Sequence, residues 1–252
     1  SSNVTGAFND NGSLIQQSLS LTNYTVGTVV YHVTPTANNC TGPVKDITVT
    51  VNPVAIVDAG IDYTLCQPTT IPLSGTIGGA ASSGTWSIVS GAGTLSASTT
   101  TGTGVTATYT VDPSDITTTV TFMLTTNDPD NAGPCSLVTD LLNIQLNLAP
   151  TVVAMNDQTL CEPNQFPVSG TLGGSATTAL WSIVQGNGTL FSTNIVTGSP
   201  ITANATYNVD PADITYPVSQ AITLRLTTND PDGPTGPCVA VADDVVVTIN
   251  EA

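Results

Sequence analysis

The sequence predicts an all-β chain of tandem immunoglobulin-like β-sandwiches, and three observations carry that reading. Val, Ile, Leu and Thr are plentiful, while Lys, Arg, Glu and Met, the residues that favour helices, are nearly missing. Apolar and polar residues alternate over short runs such as "TWSIV" and "ATYTV". Long stretches of the chain also recur, so the repeat comes before any motif.

The repeats align closely, and their longest matching stretch has no gap. "DYTLCQPTTIPLSGTIGGAASSGTWSIVSGAGTL" (62–95) matches "DQTLCEPNQFPVSGTLGGSATTALWSIVQGNGTL" (157–190), and "ATYTVDPSDIT" (107–117) matches "ATYNVDPADIT" (205–215). The loop "LTTNDPDNAGPC" (124–135) returns as "LTTNDPDGPTGPC" (226–238), followed each time by a closing strand. Boundaries fall at Pro53 and Pro150. Residues 54–150 and 151–252 are each a full repeat of about 100 residues, the size of one sandwich. Residues 1–53 read as the C-terminal half of a related repeat, as expected of an internal piece of a longer protein.

The elements follow in order. Val29–Val33 and Ile47–Val51 alternate and read as the last two strands of the first segment. "YTLC" ends the first strand of the next repeat. Thr69–Leu73, Thr85–Val89, Val105–Val111, Val120–Thr125 and Leu142–Leu148 are the strands that follow, with counterparts in the last repeat. "GTIGG" and "SGAGTL" read as Gly-rich turns between them. "VDPSDI" and "VDPADI" read as single helical turns: Asp112 and Asp210 cap, Pro113 and Pro211 take the first helical position, and Asp115 and Asp213 sit in the first turn. Trp86 and Trp181 hold the same mid-strand place and read as core residues between two sheets. The other reading, an exposed ring that stacks on sugars, conflicts with the alternation around them.

Charge excludes several partners. Two basic residues, Lys45 and Arg225, stand against 18 acidic ones, giving a net charge of −16. No basic patch can be built from two cations, so nucleic acid is excluded and an anionic membrane surface with it. No apolar run approaches the roughly 18 residues that would insert in a bilayer. Like charge on every repeat also keeps neighbouring filaments apart and soluble. Internal isopeptide bonds need a lysine, and residues 54–252 contain none.

Catalytic chemistry is not visible, so the chain reads as a non-enzyme. His32 is the only histidine and lies on a strand, outside the repeated units. No cysteine pair has zinc spacing. Ca²⁺ is the one cofactor the sequence suggests. Asn127, Asp128 and Asp130, and again Asn229, Asp230 and Asp232, place three oxygen-bearing side chains within four residues. Asp62 and Asp157 could approach from a neighbouring strand. The bland reading is an Asx/Pro turn with solvated carboxylates.

The five cysteines, Cys40, Cys66, Cys135, Cys161 and Cys238, read as disulfide partners of an oxidising compartment. Two schemes are open. One pairs cysteines within repeats, as Cys66–Cys135 and Cys161–Cys238. The other is staggered. In a seven-stranded sandwich the first strand's cysteine and the last hairpin's cysteine lie at opposite ends, about 26 Å apart for eight strand residues at ~3.3 Å each. A disulfide spans only about 4.4–6.8 Å between Cα atoms. Topology thus favours a bridge from Cys66 to Cys238 across Pro150, with Cys40, Cys135 and Cys161 pairing outside the fragment.

The quoted motifs, "D-x-T-L-C", "L-S-G-T-I-G-G", "G-T-W-S-I-V", "A-T-Y-T-V-D-P-S-D-I" and "L-T-T-N-D-P-D", resemble the tandem PKD-like, immunoglobulin-like repeats of giant Bacteroidetes cell-surface adhesins. The first segment resembles the second half of a sister repeat type. The resemblance covers essentially the whole chain. It implies export by the type IX secretion system, location at the cell surface and, for SprB-like members, a part in gliding motility. Neighbouring repeats of the same long chain are then the expected partners, with any surface or glycan ligand contacted elsewhere in the parent. A spacer or carbohydrate-binding module of a secreted enzyme is the alternative.

Overall fold

The computed structural model describes residues 3–129, 133, 135–193, 201–214 and 220–250. The chain is an array of immunoglobulin-like β-sandwiches, and its only described helices are two 3₁₀ turns. It groups into two compact units. One holds residues 1–62, 69–115 and 119–144; the other holds 63–68, 116–118 and 145–252. The grouping departs from the repeat boundaries at Pro53 and Pro150. The end of the first full repeat that carries Cys66 and Asn147 packs with the second unit, where its covalent and hydrogen-bond partners lie.

In the first unit, β1 (Gly27–Val33) and β2 (Lys45–Val51) form an antiparallel hairpin, in register from Gly27 opposite Val51 to Val33 opposite Lys45. His32 faces Asp46 across it, and the two side chains pair. One sheet of the following sandwich joins β3 (Ala55–Asp58), β5 (Thr70–Gly79) and β7 (Gly104–Thr110), with the short strands Thr94–Leu95 and Thr99–Thr101 alongside β7. Its facing sheet contains β6 (Gly84–Ser90), β8 (Thr119–Thr126) and β9 (Thr139–Asn147). Strand β4 (Tyr63–Cys66) lies between β3 and β5 in the chain and belongs to the second unit. Alternation puts Ile71, Leu73, Val105, Tyr109, Phe122 and Leu124 inside, each at most 1% exposed.

"GTIGG" is no turn. Residues 75–79 are the end of β5, and the chain leaves the strand only at Gly79, whose φ is +65°. Gly75 is there for close packing: a Cβ on it would lie 2.5 Å from Leu124 Cδ2 and 2.9 Å from Trp86 Cζ2. Trp86 is 3% exposed and donates from Nε1 to Val105 O at 3.0 Å. The glycine makes room for the indole, and composition alone reads that as a breaker.

The second unit repeats the plan. One sheet runs β10 (Pro150–Ala154), β12 (Gln165–Gly174), β15 (Ile201–Asn208), β14 (Thr189–Thr193). The other runs β11 (Gln158–Cys161), β17 (Ala242–Asn250), β16 (Gln220–Thr228), β13 (Ala179–Gln185), and β11 pairs in parallel with β17. Trp181, Phe166, Tyr207, Leu224 and Val247 share one buried cluster. Trp181 Nε1 donates to Ala203 O at 3.2 Å. Arg225 forks onto Asp244 with two hydrogen bonds of 2.8 Å across the β16–β17 ladder.

The two acidic turns are the 3₁₀ turns Pro113–Asp115 and Pro211–Asp213. Asp112 accepts from Ser114 N at 2.9 Å, and Asp210 caps Ala212 N within a capping box closed by Asp213. The second acid of each turn then points inward. Asp115 accepts from Tyr109 Oη at 2.6 Å and Ala92 N at 2.7 Å; Asp213 accepts from Tyr207 Oη at 2.8 Å and Asn187 N at 2.7 Å. Each tyrosine hydroxyl in turn accepts from a glycine amide, Gly93 or Gly188, at 2.7 Å.

Candidate coupling site at the Cys66–Cys238 bridge

The site is built from three short pieces of the second unit: the end of β4, the tail of β9, and the loop between β16 and β17. Strand β4 carries Thr64, Leu65 and Cys66, and ends because Gln67 takes a left-handed φ of +42°. The Gln67 amide closes that turn on Asn147 O at 2.8 Å, and its side-chain Oε1 accepts from Ala149 N at 3.1 Å. The loop after β16 folds back through a turn in which Gly236 N donates to Gly233 O at 2.9 Å, with Gly233 at φ +80°. Cys238 arrives with only 1% exposure.

There Cys66 and Cys238 are joined by a disulfide, 172 residues apart in sequence and 5.1 Å between Cα atoms. It links β4 of one repeat to the last hairpin loop of the next; "YTLC" does not end the repeat's first strand, because β3 precedes it as a separate strand in the other sheet. Polar contacts surround it. Asp232 Oδ2 accepts from Cys238 N and from Asn147 Nδ2, each at 3.2 Å, so one carboxylate ties the loop to itself and to the tail of β9. Cys238 Sγ rests 3.6 Å from Leu148 O. A Cβ on Gly236 would clash with the Asp232 carboxyl group. Thr64, Asn147, Asp232, Thr235, Gly236 and Pro237 line an open hollow of about 440 Å³ beside the bridge.

Several of the oxygens that suggested calcium are already used. Asn127 Oδ1 accepts from Ser82 N and Ser83 N at 2.8 Å each, and Asn229 Oδ1 accepts from Thr177 N and Thr178 N at 2.9 Å each. Both lone pairs of each amide oxygen are thus engaged. Asp62 accepts from Asn143 N at 2.8 Å and Nδ2 at 3.0 Å, which hold its carboxyl below the usual range. Asp157 Oδ1 accepts from Val246 N at 2.8 Å. Asp128 lies on the loop after β8, and Asp130 falls outside the described residues. Asp230 Oδ1 and Asp232 Oδ1 are buried and have no hydrogen-bond partner. A calcium shell takes six to eight oxygens. Among the described residues no three His, Cys, Asp or Glu side chains gather as a metal group.

The remaining site residues are placed as follows. Trp86 and Trp181 are each 3% exposed, so neither ring offers a face for sugar stacking. Cys40 and Cys161 are exposed thiols, while Cys135 is half-buried. Among the described residues no helix is long and apolar enough to cross a membrane. Sequence reasoning missed Thr64, Gln67 and Asn147 as parts of the cysteine site. The available signal was positional: Gln67 follows the cysteine, and Asn147 closes the strand that ends opposite it.

Neither a described protein family nor a curated protein matches the chain. Among solved structures it is similar to a three-immunoglobulin-domain titin fragment, at 12% identity over 80% of this chain and 67% of that one, with a TM-score of 0.46. It is similar to mouse cadherin-23 EC22-24 at 14% identity over 80% and 67%, with a TM-score of 0.36. Sidekick-1 immunoglobulin domains match at 10% identity over 82% and 42%, with a TM-score of 0.31. The immunoglobulin-like assignment itself rests on the paired sheets of this chain.

Proposed function

We propose that this chain is a structural segment of an extracellular filamentous surface adhesin. Its role is reach and mechanical continuity, and recognition of a surface or glycan lies elsewhere in the parent. Type IX secretion and a part in gliding motility belong to the same proposal, on the strength of the motif resemblance alone. One observation carries the mechanical reading: the disulfide joins consecutive repeats rather than closing either one. A bridge of that kind couples modules, and it calls for an oxidising compartment.

Force–extension measurement tests it. After reduction, the array is expected to unfold in steps of about 100 residues, the size of one sandwich. With the bridge intact, the chain between its cysteines, a sequence separation of 172, stays off the force path and withholds roughly 570–620 Å of contour at ~3.3–3.6 Å per residue. A single rupture of the whole reduced chain would count against the array. The alternative is a spacer of a secreted enzyme. The coding sequence on either side separates the two: a catalytic domain favours the spacer, and many further repeats favour the filament.

Calcium is proposed only for the loop that holds Asp230 and Asp232, supported by their two partnerless buried oxygens. Ca²⁺ is then expected to raise the melting temperature and EDTA to lower it. Melting curves that coincide in both buffers would retire the idea.

A further inference from the structure

The bridged end of β4 has a second edition in the chain. Strand β11 repeats β4, "QTLC" for "YTLC", and again stops at the cysteine. Glu162 takes the place of Gln67 with the same left-handed turn, φ +36° against +42°. Its amide donates to Asn250 O at 3.1 Å, as Gln67 N donates to Asn147 O at 2.8 Å. Asn250 is the register partner of Cys161 and stands where Asn147 stands in the first edition. Backbone turn, cysteine and asparagine are therefore all reproduced.

Only the cover differs. Thr64 and Cys66 are half-buried, with the loop 232–238 bonded to Cys66 and Asn147 and lining the hollow beside Thr64. The equivalent residues Thr159 and Cys161 are exposed, and Cys161 carries a free thiol. The folded geometry of the occupied acceptor is present at this second position, and its thiol is exposed.

We propose that Thr159, Cys161, Glu162 and Asn250 form a second acceptor, and that its occupant is the cysteine-terminated Asn-Asp-Pro-Asp loop of a further repeat of this kind following in the same chain. Asn250 takes the role of Asn147 and donates to the loop aspartate equivalent to Asp232. Cys161 closes a disulfide on the loop cysteine. The oxidant is a small-molecule disulfide such as oxidised glutathione. Cys161 thiolate attacks one of its sulfurs and releases one thiol. The loop thiolate then attacks the protein sulfur of the mixed disulfide and releases the second. The two protein thiols give up two protons and two electrons, and the oxidant becomes two thiols. The inference rests on the serial-array reading, because it needs a following repeat.

The test lengthens the full chain by a second copy of residues 151–252 and measures alkylation of Cys161 by iodoacetamide under native, non-reducing conditions, after a glutathione redox buffer. In the 252-residue chain, Cys161 is expected to react as fast as the exposed Cys40. In the lengthened chain it is expected to be protected at least twentyfold and to appear, on peptide mapping, linked to the added loop's cysteine. Asn250→Ala should slow formation of the bridge about tenfold, the loss of one hydrogen bond to a charged group. Cys161 that stays reactive, or that links to Cys40, overturns the proposal. A lengthened chain with Cys161→Ser reports, by protease resistance, whether the added repeat folds without the bridge. An added repeat that is protease-sensitive both with and without Cys161 also counts against the acceptor. Force–extension of the reduced, lengthened chain separates the two ideas. Steps of about 100 residues persist if only the acceptor is wrong, and they vanish if the array is wrong.

Discussion

Tyr109 and Asp115, with their repeats Tyr207 and Asp213, are the buried polar pairs on which pH acts. Burial pushes the Tyr109 hydroxyl up to about 12, helped by the Asp115 carboxylate; Tyr207 behaves the same way beside Asp213 and also reaches about 12. Burial would push the Asp115 carboxyl up as well, but hydrogen bonds from Tyr109, Ala92 and Asp112 outweigh it and hold it below the usual carboxylate range. The carboxylate is lowered in the folded state, so its contribution is present above about pH 4 and is lost as pH falls through the folded value. The tyrosines are raised, so their contribution is complete below about pH 10 and fades as pH climbs toward 12. Urea melts from pH 2 to 12 should therefore show a plateau with a shoulder lost at each end. Asp115→Ala strands two amides and a buried hydroxyl and should cost about 2–4 kcal/mol by urea denaturation. At the same scale, Gly75→Ala forces a methyl into Trp86 and Leu124 and should cost about 1–3 kcal/mol, read the same way.

At the scale of elements, the piece that matters is a loop held shut by a bond. Cutting the Cys66–Cys238 bridge by Cys66→Ser releases a closed loop of 172 residues. Chain entropy sets the effect at about 5 kcal/mol, read as a fall in the denaturant midpoint of the non-reduced protein. Asp232→Ala should have a smaller effect of about 1–2 kcal/mol, because the covalent bond remains and only the hydrogen bonds to Asn147 and the Cys238 amide go. The strands themselves were legible in the sequence wherever one face is buried, since alternation of period two is what a half-buried strand writes. β8 and β7 show it plainly. β5 was cut short because "GTIGG" carries two messages, turn propensity and room for a tryptophan, and only the facing sheet says which applies. The 3₁₀ turns were legible from Asp-Pro-x-Asp, but the inward aim of Asp115 toward Tyr109 was not. Six residues of spacing do not reveal a contact made across a strand end.

For the molecule as a whole, the bridge decides how tension travels. Pulled from its ends with the disulfide intact, the chain transmits force from the start of one repeat through Cys66 to Cys238 and out along β17, so the strands between them are not loaded. Reduction puts those strands back into the path, and extension at a given force should then lengthen by the withheld contour. An array crosslinked in this way resists stretching more than one whose sandwiches are joined by peptide linkers alone.

Composition and alternation were enough to set the sandwich class and the repeat. Those properties depend on composition and on local periodicity, which every short window of the chain displays. Tertiary structure decided the rest. Cys66 and Cys238 meet only because the end of β4 and the β16–β17 loop come to one place in the second unit. Asn127 and Asn229 turned from metal candidates into clamps on backbone amides 44 to 52 residues away. A side chain's chemistry is written in its type, but which groups it satisfies depends on residues far along the chain, and only folding brings those together.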